Sequence, residues 1–182
     1  MHRKNIALHF FLIFTLSLII YFNHFQNEFV YDDARTILQN FDIKHFKRVF
    51  SSITNINTRP LVRVSYATNY YFSHLRPLGY HITNFTFHIG TSLLIYWMIF
   101  HLSRKRAYSL SFFSALLFSL HPLNTETIYY LSGRASIFLA FFYLLSICFF
   151  IQWRELHKNN KNLLSFFFIK TQNQDSYQLT PL

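Results

Sequence analysis

The chain has 182 residues, 52% of them hydrophobic and only 13% charged, with 24 Phe and 12 Tyr against 3 Gly. Its formal net charge of +10 would suggest nucleic acid in a soluble domain, but here the cations flank long apolar blocks, so the charge reads as membrane topology. The single cysteine, Cys148, excludes a disulfide framework and a Cys-based metal site.

The apolar blocks are Ile6–Phe22, Tyr80–Phe100, Tyr108–Leu120 and Ala135–Trp153. At ~1.5 Å of rise per residue, three of the four suffice to cross a bilayer, and the third must borrow from its flanks. The fold class predicted is all-α, a polytopic membrane helix bundle of about four spans, with a long outer first loop containing interfacial amphipathic helices. The first block is a retained anchor, because Tyr21-Phe22-Asn23-His24-Phe25 offers no small-x-small cleavage site. Arg3 and Lys4 precede it, Arg104-Lys105-Arg106 separate the second and third blocks, and Arg154, Lys158 and Lys161 follow the fourth. The positive-inside rule then places the N-terminus in the cytoplasm. The layout is residues 1–22, cytoplasmic N-terminus and first span; 23–79, outer loop; 80–153, spans two to four; and 154–182, cytoplasmic tail. Within that tail the apolar run Leu163–Ile169 resembles the beginning of a truncated fifth span.

The outer loop opens with two adjacent acids, Asp32 and Asp33, in Glu28-Phe29-Val30-Tyr31-Asp32-Asp33. A carboxylate at the membrane surface suits a base for an acceptor hydroxyl. Its neighbour would tune it by like-charge repulsion or join it as an oxygen ligand for a divalent cation. Asp33 reads equally well as the cap of a helix starting at Ala34. Further on, Ile43, Phe46, Val49, Phe50 and Ile53 recur at helical steps with Lys44, Lys47 and Arg48 between them. That pattern fits an amphipathic helix, either in the membrane interface or packed on the protein's own spans. Pro60 then predicts the first residue of a second helix, running to about His74.

In the second block His81, Asn84 and His88 fall within about a 60° sector of a helix. They line a pocket or bond neighbouring helices; two turns separate the histidines, which excludes a His-only metal site. Asn84-Phe85-Thr86 matches a glycosylation sequon at membrane depth, where it is expected to stay unused. The hairpin after the third block carries His121-Pro122, Glu126 and Ser132-Gly133-Arg134 on the same predicted outer face as the acidic pair. Arg59 and Arg134 suit bidentate phosphate binding, or contact with lipid head groups.

Phe29-Val30-Tyr31-Asp32-Asp33-Ala34, Arg59-Pro60-Leu61, Gly79-Tyr80-His81 with Asn84 and His88, His121-Pro122-Leu123 with Glu126, and Ser132-Gly133-Arg134 follow one another in a recognisable order. From about Phe25 to Phe150 the chain resembles the N-terminal membrane part of the transmembrane and tetratricopeptide-repeat O-mannosyltransferase family and its bacterial relatives. Ser136 stands where relatives usually carry an acid. The resemblance implies a C-type glycosyltransferase moving a sugar, here mannose, from a polyprenyl-phosphate lipid to an acceptor hydroxyl, here protein Ser or Thr. Asp32 and Asp33 would be catalytic and would hold any metal. Arg59 and Arg134 would bind the donor phosphate, and His81, His88, His121 and Glu126 would line the pocket. The membrane would be a bacterial inner membrane or the endoplasmic reticulum, with a glycan as another acceptor. The rivals are a truncated, non-catalytic module that binds donor lipid or partner subunits, and a small transporter. The chain is expected to be too short to turn over alone.

Overall fold

The computed structural model describes residues 2–45, 48–49, 59–103 and 106–176, with side chains described between residues 6 and 157 of those stretches. Among the described residues there is no strand. Six helices with described bounds carry the architecture among these residues: α1 (His2–Tyr21), α2 (Pro60–Ser73), α3 (Pro77–Leu102), α4 (Tyr108–Ser119), α5 (Asn124–Tyr129) and α6 (Arg134–Ser176). Single turns at Phe22–Gln26, Ala34–Leu38 and Leu131–Gly133 link them. Three stretches, Ile6–Gln26, Pro77–Leu102 and Leu131–His157, are long and apolar enough to cross a membrane. With 12 residues, α4 reaches only ~18 Å of a ~30 Å core by itself.

Proline opens both α2 and α3 at their first turns, where its missing N–H is no loss. Between them His74 takes φ +52° and its N–H bonds to Tyr70 O at 2.8 Å, ending α2. The predicted helix from Pro60 is therefore present, with the predicted end. The run Leu163–Ile169 continues α6 without a break and does not open a separate helix.

Compact packing divides the chain into two units, Met1–Leu145 and Ser146–Leu182. In the first, the pattern is the reverse of a soluble bundle. Phe11, Ile19, Phe113, Leu117 and Leu139 are exposed, while Ser17, Ser111, Ser119, Ser92 and Thr91 are buried. In lipid, apolar surface has no reason to hide, and small polar residues let helices approach closely. The Ser17 and Ser119 hydroxyls bond to each other across α1 and α4, and Tyr21 donates to Ser119 O at 3.1 Å. At the other end of α1, His9 Nδ1 meets the Tyr96 hydroxyl of α3 at 3.1 Å.

One apolar cluster lies outside those helix contacts. Ile37, Ile43, Val49, Val62, Tyr66, Tyr80, Leu131 and Phe138 pack together, joining the first loop to α2, α3 and α6. Ile43 and Val49, from the proposed amphipathic helix, therefore face the protein's own core and not acyl chains. Phe46, Lys47, Phe50 and Ile53 of that pattern lie outside the described residues.

Candidate functional site

The two acids, adjacent in sequence, have different surroundings. Asp33 is fully buried and Asp32 is exposed. Asp33 Oδ1 accepts the Ser132 N–H at 2.7 Å and also the Ser132 hydroxyl; its Oδ2 accepts the Val30 N–H at 3.2 Å. Asp33 does precede the Ala34–Leu38 turn, but its side chain makes no capping bond there. It caps a turn 99 residues away in sequence, just before α6, where the helix dipole favours a negative charge. Beside it, the Asp32 N–H bonds to the Tyr130 hydroxyl at 3.2 Å. Among the described residues the Asp32 carboxylate has no hydrogen-bond or ion-pair partner. The acidic strap and the hairpin before α6 thus meet, but only one carboxylate is left facing outward.

Tyr31, just before the pair, has φ +48°. For an L-residue with a bulky side chain, the left-handed region costs about 1–2 kcal/mol. The turn is held by Asp33 N–H to Val30 O at 3.0 Å and Ala34 N–H to Tyr31 O at 3.2 Å.

Arg134, expected at the surface for phosphate, is the largest fully buried side chain among the described residues. Its Nε donates to Asn84 Oδ1 at 2.7 Å, Nη1 to Asn69 Oδ1 at 2.7 Å and Ser65 Oγ at 3.0 Å, and Nη2 to Tyr80 O at 3.1 Å. The guanidinium lies 4.5 Å from the Tyr66 ring centre and 5.7 Å from that of Tyr80. Four of its five N–H groups are engaged and two aromatic faces cover its plane. It ties α2, α3 and α6 together and offers little to a ligand. Tyr66 closes the same knot, donating to Leu131 O at 2.8 Å. Burial pushes its phenol up to about 12, against the pull of Arg134. The charges of Asp33 and Arg59 also act on that phenol.

Arg59 is exposed. It stands at a groove of about 580 Å³ whose walls include Leu61, Phe138, Leu139 and Phe142, from the start of α2 and the first turns of α6. Ser136 is exposed on the same groove.

The other expected pocket residues are not brought together. His81 is buried, with Nε2 at 3.1 Å from Asn27 O, and His88 is buried, with Nε2 at 3.0 Å from Ser119 O. With Asn84 they form a row of bonds from α3 to three different partners, the helix-bonding alternative of the sequence reading. His88 also lines a partly open cleft of about 200 Å³ with Thr91, Asn124 and Thr127. His121 is exposed on a separate cleft of about 300 Å³ at the end of α4, and Glu126 is exposed in the first turn of α5. The sequon asparagine, Asn84, is wholly inside the protein. Among the described residues no three His, Cys, Asp or Glu side chains form a metal-binding group.

Ser65, Asn69, Tyr66 and Tyr130 were not singled out from the sequence, and Ser132 was named there only within the Ser132-Gly133-Arg134 motif. Ser65 and Asn69 left one signal there, a polar pair four residues apart on an otherwise apolar face of α2.

Apolar helices of bilayer length, with small polar residues inside and bulky apolar residues outside, define a helical membrane protein. Comparison with known proteins gives its family. The chain is 28% identical to human Protein O-mannosyl-transferase TMTC4 over 178 residues, covering 84% of this chain and 24% of that protein. It is 31% identical to Protein O-mannosyl-transferase Tmtc1 of Drosophila melanogaster over 72% of this chain and 17% of the relative. It is 30% identical to mouse Protein O-mannosyl-transferase TMTC3, over 73% of this chain and 16% of the relative. The chain belongs to the TMTC protein O-mannosyl-transferase family and corresponds to its N-terminal part. It spans about a quarter or less of the length of these curated relatives. No family model and no solved structure matches it.

Proposed function

We propose that the chain is the N-terminal membrane part of a glycosyltransferase that moves a mannosyl group from a polyprenyl phosphate to a Ser or Thr hydroxyl of an acceptor protein. The reaction takes place on the membrane face opposite the N-terminus, in the endoplasmic reticulum or a bacterial inner membrane. The acceptor oxygen attacks the anomeric carbon, the bond from that carbon to the phosphate oxygen breaks, and the acceptor proton passes to Asp32. The polyprenyl phosphate leaves with its negative charge beside the Arg59 guanidinium, and the apolar groove takes the first isoprene units. Arg134 acts from inside, by fixing α6 and the hairpin that holds the acidic strap. A divalent cation would find free oxygen ligands on Asp32 alone of the acidic pair, since Asp33 is occupied by N–H and O–H donors.

The observation carrying this reading is the division of labour within the acidic pair: Asp33 locked, Asp32 exposed where the two motifs meet. The relatives' names as protein O-mannosyl-transferases support the choice of reaction and sugar. Asp32→Asn keeps the size of the side chain and removes its basicity. In a transfer-competent protein carrying this region, it should lower mannosyl transfer by ~10²–10⁴-fold and leave donor-lipid binding intact. Near-normal turnover of that variant in a radiolabelled-mannose assay would end the proposal.

A further inference from the structure

We propose that Tyr31 is a stacking platform for the pyranose ring of the donor lipid. This rests on the reading of Asp32 as the acceptor's base, and it assigns a sugar contact to a residue with no role in that step. Of the described large apolar side chains, Tyr31 is the most exposed, at 89%. It is also one of two described non-glycine residues with positive φ, the other being His74, which stands at the C-terminus of α2 with φ +52° and its N–H on Tyr70 O.

These two facts work against a purely structural role. The turn needs a left-handed residue, and glycine supplies that conformation without strain. A ring that packs on none of the described residues returns nothing to their core. The fold therefore carries a strained backbone with no packing in exchange, a combination that concentrates at ligand sites. A tyrosine serving only as an interfacial membrane anchor would need no such backbone.

The location gives the ligand its chemistry. Tyr31 precedes Asp32 in the chain, their Cα atoms are ~3.8 Å apart, and both residues are exposed at the same strap. The strap is fixed on its far side by Asp33 on Ser132 and by the Tyr130 hydroxyl on Asp32 N–H. A group held there must sit where the acceptor hydroxyl meets the anomeric carbon. A hexopyranose fits, because its C–H face lies flat on an aromatic ring while its hydroxyls stay at the rim. The phenol hydroxyl adds a hydrogen-bonding edge on the same ring.

The test is binding by the chain in lipid nanodiscs, with mannosyl polyprenyl phosphate and sugar-free polyprenyl phosphate as the two probes. Tyr31→Ala should weaken the mannosyl lipid by about three- to tenfold and leave the sugar-free lipid unchanged. Tyr31→Trp should retain both affinities. Tyr31→Gly should match alanine in binding but raise the unfolding temperature, which separates loss of the ring from loss of the fold. Equal weakening of both lipids by Tyr31→Ala, or no weakening of either, overturns the platform. If the unaltered chain binds neither lipid, the donor reading itself fails, a result distinct from both.

Discussion

Asp33 and Asp32 share a side chain and a peptide bond, and the fold gives them opposite tasks. The Asp33 oxygens accept two backbone N–H groups and a hydroxyl, which an amide reproduces only in part, because its NH₂ must face a donor. Asp33→Asn should destabilise the protein by about 1–3 kcal/mol. Asp32→Asn should leave the unfolding midpoint unmoved, since no described group depends on that carboxylate. Thermal unfolding of the two variants in detergent checks the contrast. Equal midpoints would mean that the Asp33–Ser132 contact contributes nothing.

At the scale of elements, α2, α3 and α6 are joined by one buried cation. Arg134 reaches Ser65 and Asn69 on α2, and Asn84 and the Tyr80 carbonyl on α3. A lysine keeps the charge but cannot direct four donors from a planar fork. Arg134→Lys should therefore cost at least about 3 kcal/mol, with Asn84 and Asn69 acceptors left unpaired inside the protein. Wild-type stability for this variant, measured by denaturant unfolding, would remove Arg134 from the frame. Glycine makes the α2–α3 junction possible: a Cβ on Gly79 would lie 2.7 Å from the Ser73 Cβ, closer than packing permits. Tyr66 adds a pH dependence to the same junction. Its phenol is raised to about 12 in the folded protein against about 10 when unfolded, so above pH 10 the unfolded chain loses its proton first. The stability contributed by the Tyr66 proton is fully present below pH 10 and, on the order of 2 kcal/mol, is lost as pH rises through 12. Tyr66→Phe should flatten that alkaline loss while costing some stability at neutral pH, through the bond to Leu131 O. An alkaline slope unchanged in the variant would place the titration elsewhere.

For the whole molecule, the positions of the cations predict an arrangement in the membrane with the N-terminus and the α3–α4 connection on one face. Arg106 lies between α3 and α4, whereas Glu126 lies between α4 and α6, and both are exposed. With Cys148 replaced by alanine, a cysteine at position 126 should react with an impermeant thiol reagent from the face opposite the N-terminus. A cysteine at position 106 should be protected. Labelling of both from one face would mean that α4, only 12 residues long, does not cross the membrane with its neighbours.

The sequence by itself determined the helical class, the apolar helices, the start of α2 at Pro60 and the order of the polar motifs. Each of these is written in local periodicity, composition and the chemistry of single residues. The sequence allowed the acidic strap and the hairpin to converge, by placing both on one expected face, and the fold supplied the contact through Asp33 and Ser132. Tertiary structure decided which polar groups remain available. The same residue types looked suitable for a ligand at Asp33, Arg134, His81 and His88. Three-dimensional packing turned each of them inward onto partners 31 to 99 residues away. It likewise turned Ile43 and Val49 toward the protein and left Tyr31 and Asp32 outside. Periodicity reports which face of a helix is apolar or polar, but not what lies opposite. A buried guanidinium and a phosphate-binding one carry the same five donors, and only the neighbours that fill them tell the two apart.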